Sequence, residues 1–141
     1  MILNCSFEEL QALVSGAELL LHDFGGGTGG SIAAPSEAKA AVEALRPRLH
    51  GPLSIQTLAE QQSLRRAVGA ICEELHDRLE EKVLQFHPAH EEAVSLYFDY
   101  AHAFGVLSRL DEMGVEMRAM IELMTGAPAS PASAAEINFP D

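Results

Sequence analysis

Two acid–histidine pairs are the residues in this chain best placed to do chemistry. Glu73-x-x-His76 and Asp99-x-x-His102 each set a carboxylate and an imidazole three residues apart, a spacing that projects both from one side of a helix. Facing helices that each offer such a pair can surround a transition metal with nitrogen and oxygen ligands, the logic of di-iron carboxylate bundles. Iron, manganese or zinc would suit that donor set. Glu73 and His76 lie 15 and 12 residues before Pro88, and Asp99 and His102 lie 11 and 14 after it. In an antiparallel hairpin turning at Pro88 those positions match in height to within about 1.5 Å of rise. Height is not direction, however. The two histidines fall at the margins of apolar stripes and the two carboxylates further outward, so hydrated side chains and ion pairs are the competing reading. The two lone glutamates that complete a single-chain di-iron site are also missing.

Other chemistry has less behind it. Gly25, Gly27 and Gly30 match G-x-G-x-x-G, but that fingerprint needs a strand before it, and here a helical pattern precedes it. Residues 23–35 therefore read as a flexible glycine-rich loop. There is no nucleophile-elbow pattern and no context that would activate a cysteine, so no catalytic residue is expected. Of the two cysteines, Cys72 falls on an apolar helix face and Cys5 lies near the start; a single possible pair makes no disulfide framework.

The elements that would position these groups are helical. Ser6-Phe7-Glu8-Glu9 is a capping box that opens a first helix running to about His22, and Ser36 to about Leu45 forms a shorter second one. Thr57-Leu58-Ala59-Glu60 is another capping box and opens a long helix over about 57–86. His87-Pro88 ends it, and a fourth helix follows over about 89–125, with Pro88 expected in its first turn. Short extended pieces are possible at 2–5 and 53–55. The fold class expected is all-α: a long antiparallel hairpin carrying two shorter N-terminal helices. Residues 1–125 form one helical domain. Gly126 stops the last helix, and 126–141 is a Pro/Ala/Ser-rich tail expected to be mobile and dispensable for stability. Ile137-Asn138-Phe139-Pro140 leaves open the alternative of a docking peptide.

Composition limits the partners. Nine Lys+Arg against 21 Asp+Glu give a formal net charge of −12, which disfavours phosphate backbones and anionic membrane surfaces alike. No apolar run approaches the ~20 residues of a membrane span. Leu3-Asn4-Cys5 has neither a basic region nor an apolar signal core before it, so a cytoplasmic location is expected.

Three functional readings follow. The first is a self-associating helical interaction or scaffold protein without catalytic activity, expected to form a homodimer. The hairpin carries more apolar surface than two short helices can cover, and Phe98, Phe104, Val106, Met113, Met117 and Met120 are the expected interface residues. The methionine-rich end of the fourth helix, or the tail, could also take a protein partner. The alternative is a metal-binding bundle using Glu73, His76, Asp99 and His102. The third is a small-molecule sensor or carrier, with a pocket between the short helices and the hairpin.

Overall fold

A computed structural model of the chain describes residues 1–22, 36–85, 90–126 and 137–140. Four helices dominate it: α1 (Phe7–His22), α2 (Ser36–Leu45), α3 (Leu58–Gln85) and α4 (Glu91–Thr125). A two-stranded antiparallel ribbon pairs β1 (Ile2–Leu3) with β2 (Leu53–Ser54), Leu3 opposite Leu53. The all-α expectation holds, with α3 and α4 packed along each other as the long hairpin. The glycine-rich loop at 23–35 and the His87-Pro88 turn lie outside the described residues.

Local chemistry sets where the helices begin and end. The Ser6 hydroxyl accepts from the Glu9 amide at 3.1 Å, while the Glu9 carboxylate accepts from the Ser6 amide at 2.8 Å. At α3 the Thr57 hydroxyl accepts from the Glu60 amide at 3.1 Å, but the Glu60 carboxylate reaches one residue further back, to the Gln56 amide at 2.9 Å. The start of α4 differs from expectation. His90 is its N-cap, its ring Nδ1 accepting from the Glu92 amide, so the helix opens beyond Pro88 rather than on it. Gly126 closes α4 at φ 69°, a left-handed conformation that costs glycine nothing, and its amide donates to the Glu122 carbonyl.

The core lies at the open end of the hairpin. In α3 the buried residues run from Leu58 to Leu75, and α4 answers with Ala103, Val106, Leu110, Gly114, Met117 and Ile121. Helix α1 covers this seam by resting on both α3 and α4, and α2 packs on α3. Gly16 permits the α1–α3 approach, since a Cβ there would lie 2.3 Å from the Ile71 side chain. Gly114 plays the same part between α3 and α4. It makes room for the buried Gln61 amide, whose Nε2 donates to the Leu110 carbonyl at 2.7 Å, while Oε1 is left without a partner.

The last residues depart from the expectation of a free tail. Phe139 is only 5% exposed and belongs to the core cluster, with Ile137 packed against it. Its amide donates to the Gln56 carbonyl, and the Met1 amine donates to the Pro140 carbonyl at 3.3 Å. Residues 137–140 thus lie along the chain beyond β2 as an added extended piece. A composition argument weighs the average of the segment, whereas one phenylalanine filling a prepared cavity outweighs ten weakly apolar neighbours.

Arg109 of α4 fastens the start of α1 in place. Its guanidinium bonds the Asn4 carbonyl and the Glu9 carboxylate. Burial alone would raise the Glu9 carboxyl, but the Ser6 amide and then Arg109 outweigh it and hold the group below its ordinary value of 4.5. A folded pKa below the unfolded one means stabilisation that is full above the ordinary value and is lost as pH falls through the lowered one. Glu9→Gln is therefore expected to lower stability at neutral pH and to flatten its decline in acid. Urea unfolding followed from about pH 7 down to about pH 3 reads this directly; an unchanged slope would show that the Glu9 ties are not retained in solution.

Candidate functional site

The four expected metal ligands do not converge. Glu73 is exposed on the outer side of α3. His102 turns back along its own helix, its Nδ1 2.7 Å from the Phe98 carbonyl and its ring stacked on Phe98. Asp99 is half-buried beside it; burial raises its carboxyl above the ordinary range, with the charge of His102 pulling the other way. His76 points across the hairpin, where its ring meets Tyr100 at a centroid distance of 5.6 Å. Among the described residues, ligand atoms close enough to share an ion belong instead to His76, Asp77 and Glu80, which lie within 4.8 Å of one another. All three are exposed on a single stretch of α3, and exposed acidic groups commonly lie this close without an ion. A sequence match at one height thus became two histidines facing different ways, because each ring took the nearest aromatic or carbonyl neighbour.

The cysteines are equally unpromising as reacting groups. Burial, with Glu73 nearby, pushes the Cys72 thiol up to about 12. Burial raises Cys5 as well, with Arg109 opposing. A thiol needs its thiolate to attack or to bind metal. Shallow depressions occur at the ends of the short helices, one lined by Ser15, Glu18, Leu19 and His22 and another by Leu21, His22, Glu43, Arg46 and Pro47. Both are open to solvent and lined mainly by polar side chains, unlike the enclosed, largely apolar pockets that hold small molecules.

The outer face of α4 is different in kind. Val94 is 40% exposed, Tyr97 59%, Phe98 57% and Phe104 48%; these large side chains and the exposed Ala101 share one side of the helix. The positions 94, 97, 101, 104 and 108 alternate by three and four residues, the seam spacing of a coiled coil. Residues 93–108 hold one formal charge, Asp99, set two residues from Ala101 and so on the opposite side of the helix. Charge depletion with aromatic enrichment is the composition found at the centres of protein contact surfaces. The patch is rigid. Tyr100 lies between His76 and Phe104, its ring 5.9 Å from that of Phe104, so an aromatic ladder ties the stripe to α3. The Lys82–Glu92 ion pair at 2.9 Å closes the hairpin beyond it.

The expected interface residues divide between two faces. Val106 and Met117 are fully buried within the chain's own core, and Met113 is half-buried against it. They are spent on the fold, under α1 and α3. Phe98, Phe104 and Met120 face outward. Tyr97, which the sequence places beside Phe98 as an interface anchor, lies on the same stripe, and Val94 and Ala101 complete it at three-and-four spacing. Among the described residues no helix is long and apolar enough to cross a membrane. Comparison with family models, with characterised proteins and with solved structures finds no match to this chain.

Proposed function

We propose that this protein is a non-enzymatic helical interaction module that works by associating with itself through the outer face of α4. The observation that carries the reading is the exposed stripe of Val94, Tyr97, Phe98 and Phe104 on a long, well-packed helix. Leaving large aromatic groups in water forgoes roughly 25 cal/mol for every Å² of apolar surface that a partner could cover. Scattered surface hydrophobes need no explanation, but a contiguous charge-free row of them does. The core already takes Val106, Leu110, Met117 and Ile121 from the other side of the same helix, so this row is surplus to folding.

Sedimentation velocity at micromolar concentration tests it. The native chain is expected to sediment as a dimer, and Phe104→Glu as a monomer with unchanged far-ultraviolet circular dichroism. The substituted carboxylate sits on the surface of a single chain and carries a burial penalty only in the associated state. A native chain that stays monomeric throughout the micromolar range would sink the proposal.

A further inference from the structure

We infer that two copies pair antiparallel along α4, about a two-fold axis at Ala101, an arrangement that rests on the self-association proposed above. The outer face of α4 is its own complement when turned end for end. Seven residues on a helix return to nearly the same side, and eighteen residues make five full turns. Tyr97 and Phe104 are seven apart, as are Phe98 and Gly105, while Glu91 and Arg109 are eighteen apart. The midpoint of each pair falls within a residue of Ala101.

An axis there brings each member of a pair beside the other member on the second copy. Tyr97 stacks on Phe104 of the second copy, and Phe104 on its Tyr97. Phe98 lies over Gly105, where the helix has no side chain of its own and the Glu9 carboxylate, already held by Arg109, stands alongside. Ala101 meets Ala101, so nothing bulky separates the backbones at the centre. At the rim the exposed carboxylate of Glu91 stands beside Arg109, which is half-exposed while it holds Glu9. A guanidinium has five N–H donors, enough for a further carboxylate.

The parallel alternative sets like against like. The acidic starts of both α4 helices, Glu91 and Glu92, would then lie at one end and both Arg109 side chains together at another height, in a chain that already carries a formal net charge of −12. Like charges brought together across an interface are costly, and rim charges of opposite sign select orientation. The order of charges along α4, acid before the stripe and arginine after it, therefore chooses the antiparallel pair.

Single cysteines placed along the stripe read out the arrangement in the full chain. The background is Cys5→Ser, with Cys72 left in the core. Under mild oxidation, or with a short bis-maleimide, Ala101→Cys is expected to cross-link to itself. Val94→Cys alone and Ser108→Cys alone are expected to stay uncross-linked, and an equal mixture of those two is expected to form the mixed dimer. Efficient self-cross-linking of Val94→Cys would overturn the inference in favour of a parallel pair. A protein that sediments as a dimer yet cross-links at none of these positions would overturn the register while leaving self-association through another surface standing. A protein that does not sediment as a dimer at all would remove the parent reading and this one together.

Discussion

Phe139→Ala is expected to be among the most destabilising single changes in the chain, lowering the unfolding free energy by about 3 kcal/mol. Truncating a buried phenylalanine costs about 3–5 kcal/mol through lost transfer energy and the cavity left behind. The lower end applies here because only two backbone contacts, Phe139–Gln56 and Met1–Pro140, are seen holding the described residues 137–140 beside the anchor. Once its anchor is gone, residues 137–140 can detach and recover backbone entropy, which caps the loss. Detachment would also remove the Phe139–Gln56 backbone bond and the Met1–Pro140 contact, so the ribbon of β1 and β2 is expected to loosen with it. Urea unfolding of the variant, with hydrogen exchange at Leu53–Gln56, measures both effects. A change in stability within about 0.5 kcal/mol, the range of ordinary surface substitutions, would mean that the tail is not docked in solution.

Gly16→Ala is expected to destabilise the fold by about 1–2 kcal/mol, although the same change in an open stretch of helix stabilises. Alanine gains about 1 kcal/mol over glycine in a helix interior, and overpacking of a well-filled contact costs about 1–3 kcal/mol. Here the new Cβ would meet Ile71 Cγ2 at 2.3 Å and Leu75 Cδ1 at 3.2 Å. The obstacle is a buried β-branched side chain with few rotamers open to it, so α1 must lift away from α3. Residue 69 supplies the control. A Cβ on Gly69 meets nothing within 4 Å, and Gly69→Ala should therefore raise stability by roughly the propensity difference. Combining Gly16→Ala with Ile71→Ala should cost less than the two changes added together, because the second removes the methyl with which the first collides. Additive losses, or a stabilising Gly16→Ala, would show that the α1–α3 contact is looser than its geometry indicates.

Much of this architecture is legible in the residues themselves. Ser6 with Glu9, Thr57 with Glu60, and Gly126 mark helix ends because capping is a contest among neighbours a few residues apart, settled within one turn of backbone. Three-and-four spacing of apolar residues then makes the segments between those marks helical, and their lengths follow. Direction was harder to read. Helix α4 carries apolar side chains around most of its circumference, so periodicity alone does not separate Val106 and Met117, which the core takes, from Tyr97 and Phe104, which it leaves outside. The placement of α3 and α1 against α4, the latter fixed through Arg109 and Glu9, decides which side is covered.

The same limit applies to the candidate ligands and to the chain's last residues. Rise along a helix is counted from sequence, and it sets His76 near Asp99, and Glu73 near His102, in height. Azimuth about the axis and the choice of rotamer depend on what stands alongside. There Tyr100 drew one imidazole and the Phe98 carbonyl the other. Phe139 is the plainest case. Ile137 and Phe139 suggest a docking segment, but nothing near them names its site, and the backbone that receives Phe139 is at Gln56, more than 80 positions earlier in the chain. The sequence by itself determined the helices, their ends and their all-α class, because those rest on local bonds. Which surfaces are buried, which ligands meet and where the tail lies were decided only when distant segments competed for the same space.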